Sequence, residues 1–179
     1  VSAAGLYVAN ADGSVAVFAP DASGDAAPVR RIAGSRTGLS LSIGLATDSQ
    51  QRLYVTNRGN GTVAVFPVTA SGDVAPSTVL TASGMGSPQV LAVGPTDDVY
   101  VATCPGCGSG NGGGTGVWHF ANGSTVSDFQ IGGANTGMTV PTGIALDSGR
   151  NLYVANAFGG NVATFAPGAS GNSLPIRSF

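Results

Sequence analysis

A short apolar motif recurs four times along this chain at nearly constant spacing. It reads Leu-Tyr-Val-Ala-Asn or a close variant, at residues 6–10, 53–57, 99–103 and 152–156. Its tyrosines are 47, 46 and 53 residues apart: Tyr7, Tyr54, Tyr100 and Tyr153. A fixed period of this size is typical of a repeat architecture, in which each unit buries its apolar faces against its neighbours. The repeat constrains the fold strongly, but a scaffold of this kind does not by itself specify an activity.

Each repeat is predicted to contain four short strands. In the second repeat they cover residues 44–47, 52–56, 61–66 and 77–80. Apolar residues alternate with small or polar ones, as in Leu53/Val55 and Val63/Val65, which favours half-buried strands. Turn-forming residues separate the strands, and the 29 glycines argue against long helices. Four antiparallel strands at this period form the blade of a β-propeller.

The sequence therefore predicts an all-β propeller in a single domain, residues 1–179. It has about four four-stranded antiparallel repeats of 46–53 residues, at residues 1–40, 41–87, 88–140 and 141–179. The third strand of each repeat ends at a phenylalanine: Phe18, Phe66, Phe120 and Phe165. The third repeat carries an insertion of about eight residues within 104–114. The first repeat begins after the place of its innermost strand.

Several stretches resemble a known family. They are residues 141–147, 151–156 and 161–165 in the last repeat, and residues 22–30 through 38–39 in the first. On these stretches the chain resembles the NHL-type β-propellers, in their bacterial secreted form. The resemblance covers essentially the whole chain and implies a ring of six or more blades. Similar propellers serve as ligand platforms, lyases, lactonases and surface-layer modules, so the resemblance implies an architecture rather than one activity.

Because four repeats are few for such a ring, three interpretations stay open. The chain is a piece of a longer propeller, is completed by another copy, or forms a compact four-bladed ring. An unpaired sheet edge is unfavourable in water, so we expect the inner edge of residues 6–10 to pair with a protein partner or a further copy of the chain. Strand addition between copies would give a head-to-tail or filamentous assembly.

The composition indicates the compartment and excludes some partners. All nine acidic residues are Asp and all seven basic residues are Arg, for a net charge of −2. The scattered arginines form no basic stripe, so we expect no nucleic-acid binding. No apolar run is long enough to span a bilayer. The low charge, the polar turns and two cysteines predict an extracellular or cell-surface location, or the periplasm.

The motif Cys104-Pro-Gly-Cys107 lies in the inserted glycine-rich loop. We predict a disulfide between Cys104 and Cys107, as expected in an oxidising compartment. A redox dithiol would need a helix N-terminus to activate the first thiol. A zinc site would need a second pair of ligands, whereas the chain has one histidine and no third cysteine.

Two sets of polar residues are candidate binding groups. Asn10, Asn57 and Asn156 end the second strands, and their amides would ring one mouth of the propeller to bind a polar ligand such as a sugar. Asp48 and Asp147 end the first strands and are candidate Ca²⁺ ligands. The alternative for both sets is local, because Asn and Asp side chains often hydrogen-bond the backbone of their own turns. We expect no other cofactor.

The remaining candidates are weaker. His119 is the only histidine, and no carboxylate close in sequence orients it, so we interpret it as structural. Trp118 is interpreted as a packing residue. Asn60 and Asn122 match the N-glycosylation pattern.

These observations favour a non-catalytic extracellular propeller that acts as a binding platform or as a structural, surface or filament module. The alternative is a propeller enzyme of the lyase or lactonase type with a metal-assisted site in the central channel. Such an enzyme is expected to gather His, Glu and Asp from several blades. The chain has no Glu and a single His, so no catalytic residue is assigned.

Overall fold

The structure is a computed structural model that describes residues 5–104 and 114–179. These ranges contain fifteen short strands and two 3-10 turns, and no α-helix. Blade 1 has the strands β1 Leu6–Asn10, β2 Ser14–Phe18 and β3 Arg30–Ile32. Blade 2 has β4 Ser42–Thr47, β5 Arg52–Asn57, β6 Thr62–Pro67 and β7 Thr78–Leu80. Blade 3 has β8 Pro88–Val93, β9 Val99–Thr103, β10 Gly116–Phe120 and β11 Phe129–Gly132. Blade 4 has β12 Pro141–Leu146, β13 Leu152–Asn156, β14 Asn161–Phe165 and β15 Arg177–Ser178.

Each blade is one antiparallel sheet whose strands lie in chain order, and blade 1 has three strands where the others have four. The predicted all-β architecture of four repeats, the first without its innermost strand, is therefore confirmed. The four tyrosines occupy one position in the strand register. Their partners on the third strands of the successive blades are Val17, Val65, His119 and Thr164.

The turns between first and second strands have the same conformation in blades 2, 3 and 4. Each ends on a non-glycine residue in the left-handed region, namely Gln51 (φ 62°), Asp97 (φ 61°) and Arg150 (φ 64°). The amide of that residue donates a hydrogen bond to the carbonyl three residues earlier, at 3.0–3.3 Å. A turn closed in this way and followed by a left-handed residue is a common hairpin connection. We call the end of the blades that carries these turns the turn face.

The hydrophobic core lies between the blades. Three apolar clusters join blade 1 to blade 2, blade 2 to blade 3 and blade 3 to blade 4. Phe66, Phe120 and Phe165 are fully buried in these contacts, and complete burial of such a side chain contributes about 1.5–3 kcal/mol. The first strands β4, β8 and β12 pack side by side. In the described residues, no pair of strands from blades 1 and 4 makes a comparable contact, so the blades form an arc.

A backbone contact also ties each blade to the one before it. Gly72, in the loop before β7, donates to the Arg31 carbonyl at 2.7 Å and accepts from the Ala33 amide at 3.1 Å. Gly171 makes the matching pair with Gln130 and Gly132 between blades 3 and 4. The residue after each glycine, Asp73 or Asn172, accepts a further amide of the preceding blade through its side chain. These contacts fix neighbouring blades in one relative position.

Candidate functional site

The two predicted calcium ligands each organise a turn on the turn face. Asp48 accepts hydrogen bonds from the amides of Gln50 (3.0 Å) and Arg52 (2.8 Å), from the Arg52 guanidinium, and from the Tyr54 hydroxyl at 3.0 Å. Asp147 accepts from the amide and the side chain of Asn151 (both 2.9 Å) and from the Tyr153 hydroxyl (3.1 Å). Calcium binding at either carboxylate stays a prediction. In the part of the chain that the structure describes, no three His, Cys, Asp or Glu side chains gather around one point.

These contacts move the proton equilibria of the groups involved. Hydrogen bonds from Asn151 hold the pKa of Asp147 below its ordinary value. Burial, followed by the hydrogen bond to Asp48, raises the pKa of Tyr54 well above its usual range. Both pKa shifts favour the forms that hold the turns together at neutral pH, which are the ionised Asp147 and the protonated Tyr54.

Blade 3 breaks this pattern because Gly94 stands where the other blades have aspartate. A Cβ atom at position 94 would overlap the carboxylate of Asp98. Asp98 is 4% exposed, and it accepts from the Thr96 hydroxyl at 2.7 Å. Blade 3 therefore carries its carboxylate at the start of the second strand rather than in the turn. This carboxylate points towards blade 4.

His119 lies beside this carboxylate, although the two residues are 21 positions apart in sequence. Its Nε2 is 3.2 Å from Asp98 Oδ2, and its Nδ1 is 2.6 Å from Asp128 Oδ1. The ring stacks on Phe129 with centroids 4.3 Å apart and meets Tyr100 edge-on at 4.7 Å. The strand pairing indicates the contact with Asp128, because Asp128 directly precedes Phe129, the residue that pairs with His119.

Asp98 is the centre of the polar network around His119. Arg150 of blade 4 places a cation at 3.1 Å from Asp98 Oδ2. Burial opposes ionisation of Asp98, but hydrogen bonds from Thr96 and His119 and the charge of Arg150 outweigh it, and its pKa lies below the ordinary value. The network links blade 3 to blade 4.

Neighbouring blades meet at three clefts near the turn face, which we call cleft 1–2, cleft 2–3 and cleft 3–4. The network of Asp98 and His119 lies in cleft 3–4, and cleft 1–2 is closed by a different residue. Arg30 pairs with Val17, the counterpart of His119. Its Nη1 donates to the Val68 carbonyl at 2.8 Å and to the Ala70 carbonyl at 3.3 Å, both in blade 2. A guanidinium group from one blade thus crosses cleft 1–2.

Cleft 2–3 is open. Thr78 pairs with Val65 and occupies the position of Arg30, but its side chain is too short to cross the cleft. A cavity of about 90 Å³ remains, with an apolar floor and a polar rim. The floor is formed by Val65, Leu80, Val99 and Phe120. The rim includes Arg52, Thr78, Asp97, Ser124 and Thr125.

The rim of cleft 2–3 is fixed by hydrogen bonds between blades. Asp97 accepts from the amide and the hydroxyl of Ser49 at 2.9 and 2.5 Å, and these bonds hold its pKa below the ordinary value. The Asn122 side chain accepts from Arg52 Nη2 at 2.8 Å and donates to the Thr96 carbonyl at 3.2 Å. The rim of the cleft is therefore a hydrogen-bonded polar frame that joins blades 2 and 3.

The three predicted ligand-binding asparagines lie at the opposite end of the blades. Asn10 donates to Ser14 Oγ (3.1 Å), Asn57 to Thr62 Oγ1 (3.3 Å) and Asn156 to Asn161 Oδ1 (3.1 Å). Asn57 and Asn156 are 1% and 3% exposed. Each amide therefore closes its own turn, the local role that we gave as the alternative, and ligand binding by this set stays a prediction.

The predicted disulfide lies at the inserted loop. Cys104 is buried just after β9. Its predicted partner Cys107 belongs to residues 105–113, which are outside the described residues. The Cys104–Cys107 disulfide therefore stays a prediction.

The described residues contain no helix long and apolar enough to cross a membrane.

Comparison with known proteins identifies the fold. No family model and no curated protein matches the chain. Among solved structures, it is similar to Kuenenia stuttgartiensis hydrazine synthase, with a TM-score of 0.70 and 14% identity over 97% of this chain and 45% of that one. It is also similar to the WD40 β-propeller domain of Doa1, with a TM-score of 0.61 and 14% identity over 98% of this chain and 50% of that one. The chain thus spans about half the length of these structures. At this identity the likeness shows the fold alone, which is a β-propeller of four blade units.

Proposed function

We propose that this protein is a non-catalytic protein-interaction scaffold that binds partners on its turn face. The observation that carries the proposal is cleft 2–3, a cavity with an apolar floor and a fixed polar rim. A largely pre-formed concavity with a few well-placed polar groups is the usual form of a recognition site. The WD40 neighbour supports the proposal at the level of the fold.

The contacts of the titratable groups support binding over catalysis. Both nitrogens of His119 lie against carboxylates, so neither is available as a general base. The carboxylates of Asp48 and Asp147 are bonded to their own turns. A site for acid–base chemistry needs a group within hydrogen-bond reach of a substrate, and these three residues are already engaged with the protein.

A peptide selection on the intact protein tests the scaffold proposal. Random linear peptides displayed on phage are selected on the immobilised protein, and their footprint is mapped by amide chemical shifts. We expect the footprint at cleft 2–3, with binding at least about tenfold weaker for Thr125→Trp, which places a large ring at the rim. The matched control is Asn60→Ala at the opposite end of the blades, which should bind as the wild type does. Footprints elsewhere, or binding that ignores Thr125→Trp, would contradict the proposal.

We also propose that another copy of the chain covers the open face of blade 1. Leu6 and Val8 are 59% and 38% exposed, whereas their counterparts in blade 2, Leu53 and Val55, are fully buried beneath a neighbouring blade. β1 is an edge strand, which exposes unpaired backbone groups. The last blade presents the complementary element, because Arg177 pairs with Thr164 as Arg30 pairs with Val17. In this arrangement Arg177 donates to the Pro20 and Ala22 carbonyls of the next copy, giving a head-to-tail assembly.

Sedimentation equilibrium tests this assembly. We expect concentration-dependent association that Arg177→Glu weakens by at least about tenfold, because the substitution places a carboxylate against carbonyl oxygens. The control is Arg36→Glu, another exposed arginine, which should leave association unchanged. A monomeric protein at all concentrations would contradict the assembly but leave the scaffold proposal untouched.

The NHL-type relationship and the extracellular, cell-surface or periplasmic location are further proposals. They are supported by the repeat motifs and by a composition without Lys or Glu. Fractionation of the source cells with an antibody to the folded protein tests the location, and recovery in the cytoplasm would contradict it.

A further inference from the structure

We propose that cleft 2–3 binds the guanidinium group of an arginine side chain from an extended segment of a partner protein. The inference rests on the proposed scaffold function and specifies the chemistry of its ligand. Its basis is that the protein fills the equivalent cleft with an arginine of its own.

Cleft 1–2 shows how the guanidinium is bound. Arg30 reaches from the outer strand of blade 1 to two backbone carbonyls of blade 2, those of Val68 and Ala70. These carbonyls belong to the turn that follows the buried Phe66, and this turn is closed by the bond from the Ala70 amide to the Pro67 carbonyl at 2.9 Å. Carbonyl oxygens are natural acceptors for a guanidinium, which only donates.

Cleft 2–3 has a turn at the same place but no arginine. After Phe120, the Ser124 amide donates to the Ala121 carbonyl, also at 2.9 Å. Gly123 in this turn has a φ of 81°, whereas its counterpart Thr69 has no positive φ. The middle peptide of the turn is therefore reversed, and only the Ser124 carbonyl corresponds to one that Arg30 uses, that of Ala70. Ser124 also lines the cavity. Among residues 5–104 and 114–179, no group donates a hydrogen bond to the Ser124 carbonyl. The acceptor is present, and the protein brings no donor to it.

The cavity also has the shape and polarity that an arginine needs. Its volume of about 90 Å³ is enough for several water molecules, or for the four heavy atoms of a guanidinium group. Val65, Leu80 and Val99 line it and would contact the methylene groups of the side chain, which pack readily on apolar surface. Phe120 and Tyr54 provide aromatic surface, which guanidinium groups favour.

The charges at the rim favour a cation. Arg52 is engaged on all sides that the structure describes, since it is paired with Asp48, bonded to Asn122 and placed over the Tyr54 ring at 5.6 Å. With Asp97 also on the rim, the three charged groups Arg52, Asp48 and Asp97 carry one net negative charge. A bound guanidinium balances that charge.

Cleft 3–4 excludes such a ligand. Phe129 stands at the position of Arg30 and Thr78, and its ring is stacked on His119. The cleft is therefore already filled by aromatic rings and by the contacts of Asp98 with His119 and Arg150. Cleft 2–3, by contrast, combines a free acceptor with space.

The test is an NMR titration of the isotope-labelled protein with the blocked tripeptide acetyl-Gly-Arg-Gly-amide. We expect saturable shifts at the amides of residues 121–125. The citrulline tripeptide has the same shape without the charge and should bind at least about tenfold more weakly, because a charge-assisted hydrogen bond is about twice as strong as a neutral one. Thr78→Arg should abolish binding, since it supplies the guanidinium from within the protein. Thr125→Trp blocks the rim independently and should also abolish binding, should Thr78→Arg fail to fold.

The other outcomes each overturn part of the inference. Equal binding of the citrulline tripeptide overturns the guanidinium specificity. Agmatine binding as tightly as the tripeptide overturns the peptide source in favour of a small organic cation. An absence of shifts in residues 121–125 overturns the site itself. In each case, selected peptides that still map to the turn face would preserve the scaffold proposal.

Discussion

Clefts 2–3 and 3–4 are built on the same strand register, yet one is open and the other is closed. In cleft 3–4, His119 and Phe129 fill the space and Asp98 joins blade 3 to Arg150 of blade 4. In cleft 2–3, the residues at the positions of His119 and Phe129 are Val65 and Thr78, and a cavity remains. The comparison shows that two side chains per blade decide whether an inter-blade contact serves stability or leaves a binding site.

The closed cleft 3–4 makes the stability of the protein depend on the residues that close it. The network around Asp98 stabilises the protein only while its members are present, because removing one leaves a buried polar group without a hydrogen-bond partner. Cleft 2–3 has no such dependence, because the polar groups of its rim form their hydrogen bonds outside the cavity. Cleft 3–4 is therefore expected to be sensitive to substitution, and cleft 2–3 tolerant of it.

The largest effect is expected for Asp98→Ala. The substitution removes the acceptor of the buried His119 Nε2, of the Thr96 hydroxyl and of the half-exposed Arg150. Hydrogen bonds to a charged group contribute about 1.5–3 kcal/mol each, so we expect a loss of about 3 kcal/mol or more. Urea denaturation should show this as a lower midpoint for unfolding. The matched control is Asp12→Ala, whose ion pair with Arg31 is exposed on both sides and should matter little. Equal losses for the two variants would contradict the special role of cleft 3–4.

A smaller loss is expected for Arg30→Thr, which copies cleft 2–3 into cleft 1–2. The variant loses two hydrogen bonds to carbonyls, and hydrogen bonds to charged groups contribute about 1.5–3 kcal/mol each. Part of this is offset by water entering the new cavity, so we expect a net loss of about 1–3 kcal/mol. Arg36→Thr is the control, and a midpoint no lower than that of the control would show that Arg30 does not hold blades 1 and 2 together.

The pH dependence of stability provides a further comparison. Asp98 has a lowered pKa in the folded protein, so its contribution is present above its unfolded pKa of about 3.9 and is lost as the pH falls through the folded-state value. Its neighbours His119, Asp128, Arg150 and Tyr100 stay in place in Asp98→Asn. The stability difference between the wild type and Asp98→Asn should therefore narrow between pH 5 and pH 2. Urea midpoints across this range test it, and a constant difference would contradict the charge assigned to Asp98.

The smallest effect is expected for Thr78→Arg, which copies cleft 1–2 into cleft 2–3. A new hydrogen bond to the Ser124 carbonyl is offset by the side-chain entropy of the arginine, about 1.5–2 kcal/mol. We expect a net stabilisation of less than about 1 kcal/mol, measured as a small rise in the urea midpoint. A clear destabilisation would indicate that the Ser124 carbonyl is not placed to accept a guanidinium.

The fold could be predicted from the sequence because its signals are local and repeated. The tyrosine motif, the strand alternation and the turn residues recur in each unit, and all four tyrosines occupy the predicted equivalent position. The local role of Asp48 and Asp147 was also foreseeable, since an aspartate before a tight turn commonly accepts its amides.

The clefts could not be predicted in the same way because they depend on contacts between blades. His119 lies 21 residues from Asp98 in sequence, and Arg30 lies 38 residues from Val68. Neither distance fits a local motif. The His119–Asp98 contact needs the register of two strands within blade 3, and the Arg30–Val68 contact needs the packing of the next blade. Once the register is known, blade 2 can be seen to have Thr78 at the position that Arg30 occupies in blade 1. This shorter side chain then indicates an open cleft.

The most direct test of this account exchanges the two clefts. In the double variant Arg30→Thr/Thr78→Arg, the guanidinium moves from cleft 1–2 to cleft 2–3, and the open site should move the other way. NMR titration with acetyl-Gly-Arg-Gly-amide should then shift the amides of residues 68–70 and leave residues 121–125 unchanged, the reverse of the wild type. Clefts 1–2 and 2–3 share valine at one of the two positions and differ at the other, which holds Arg30 or Thr78. Shifts that remain at residues 121–125, or that appear at neither turn of the folded variant, would contradict the claim that these positions decide between closure and binding.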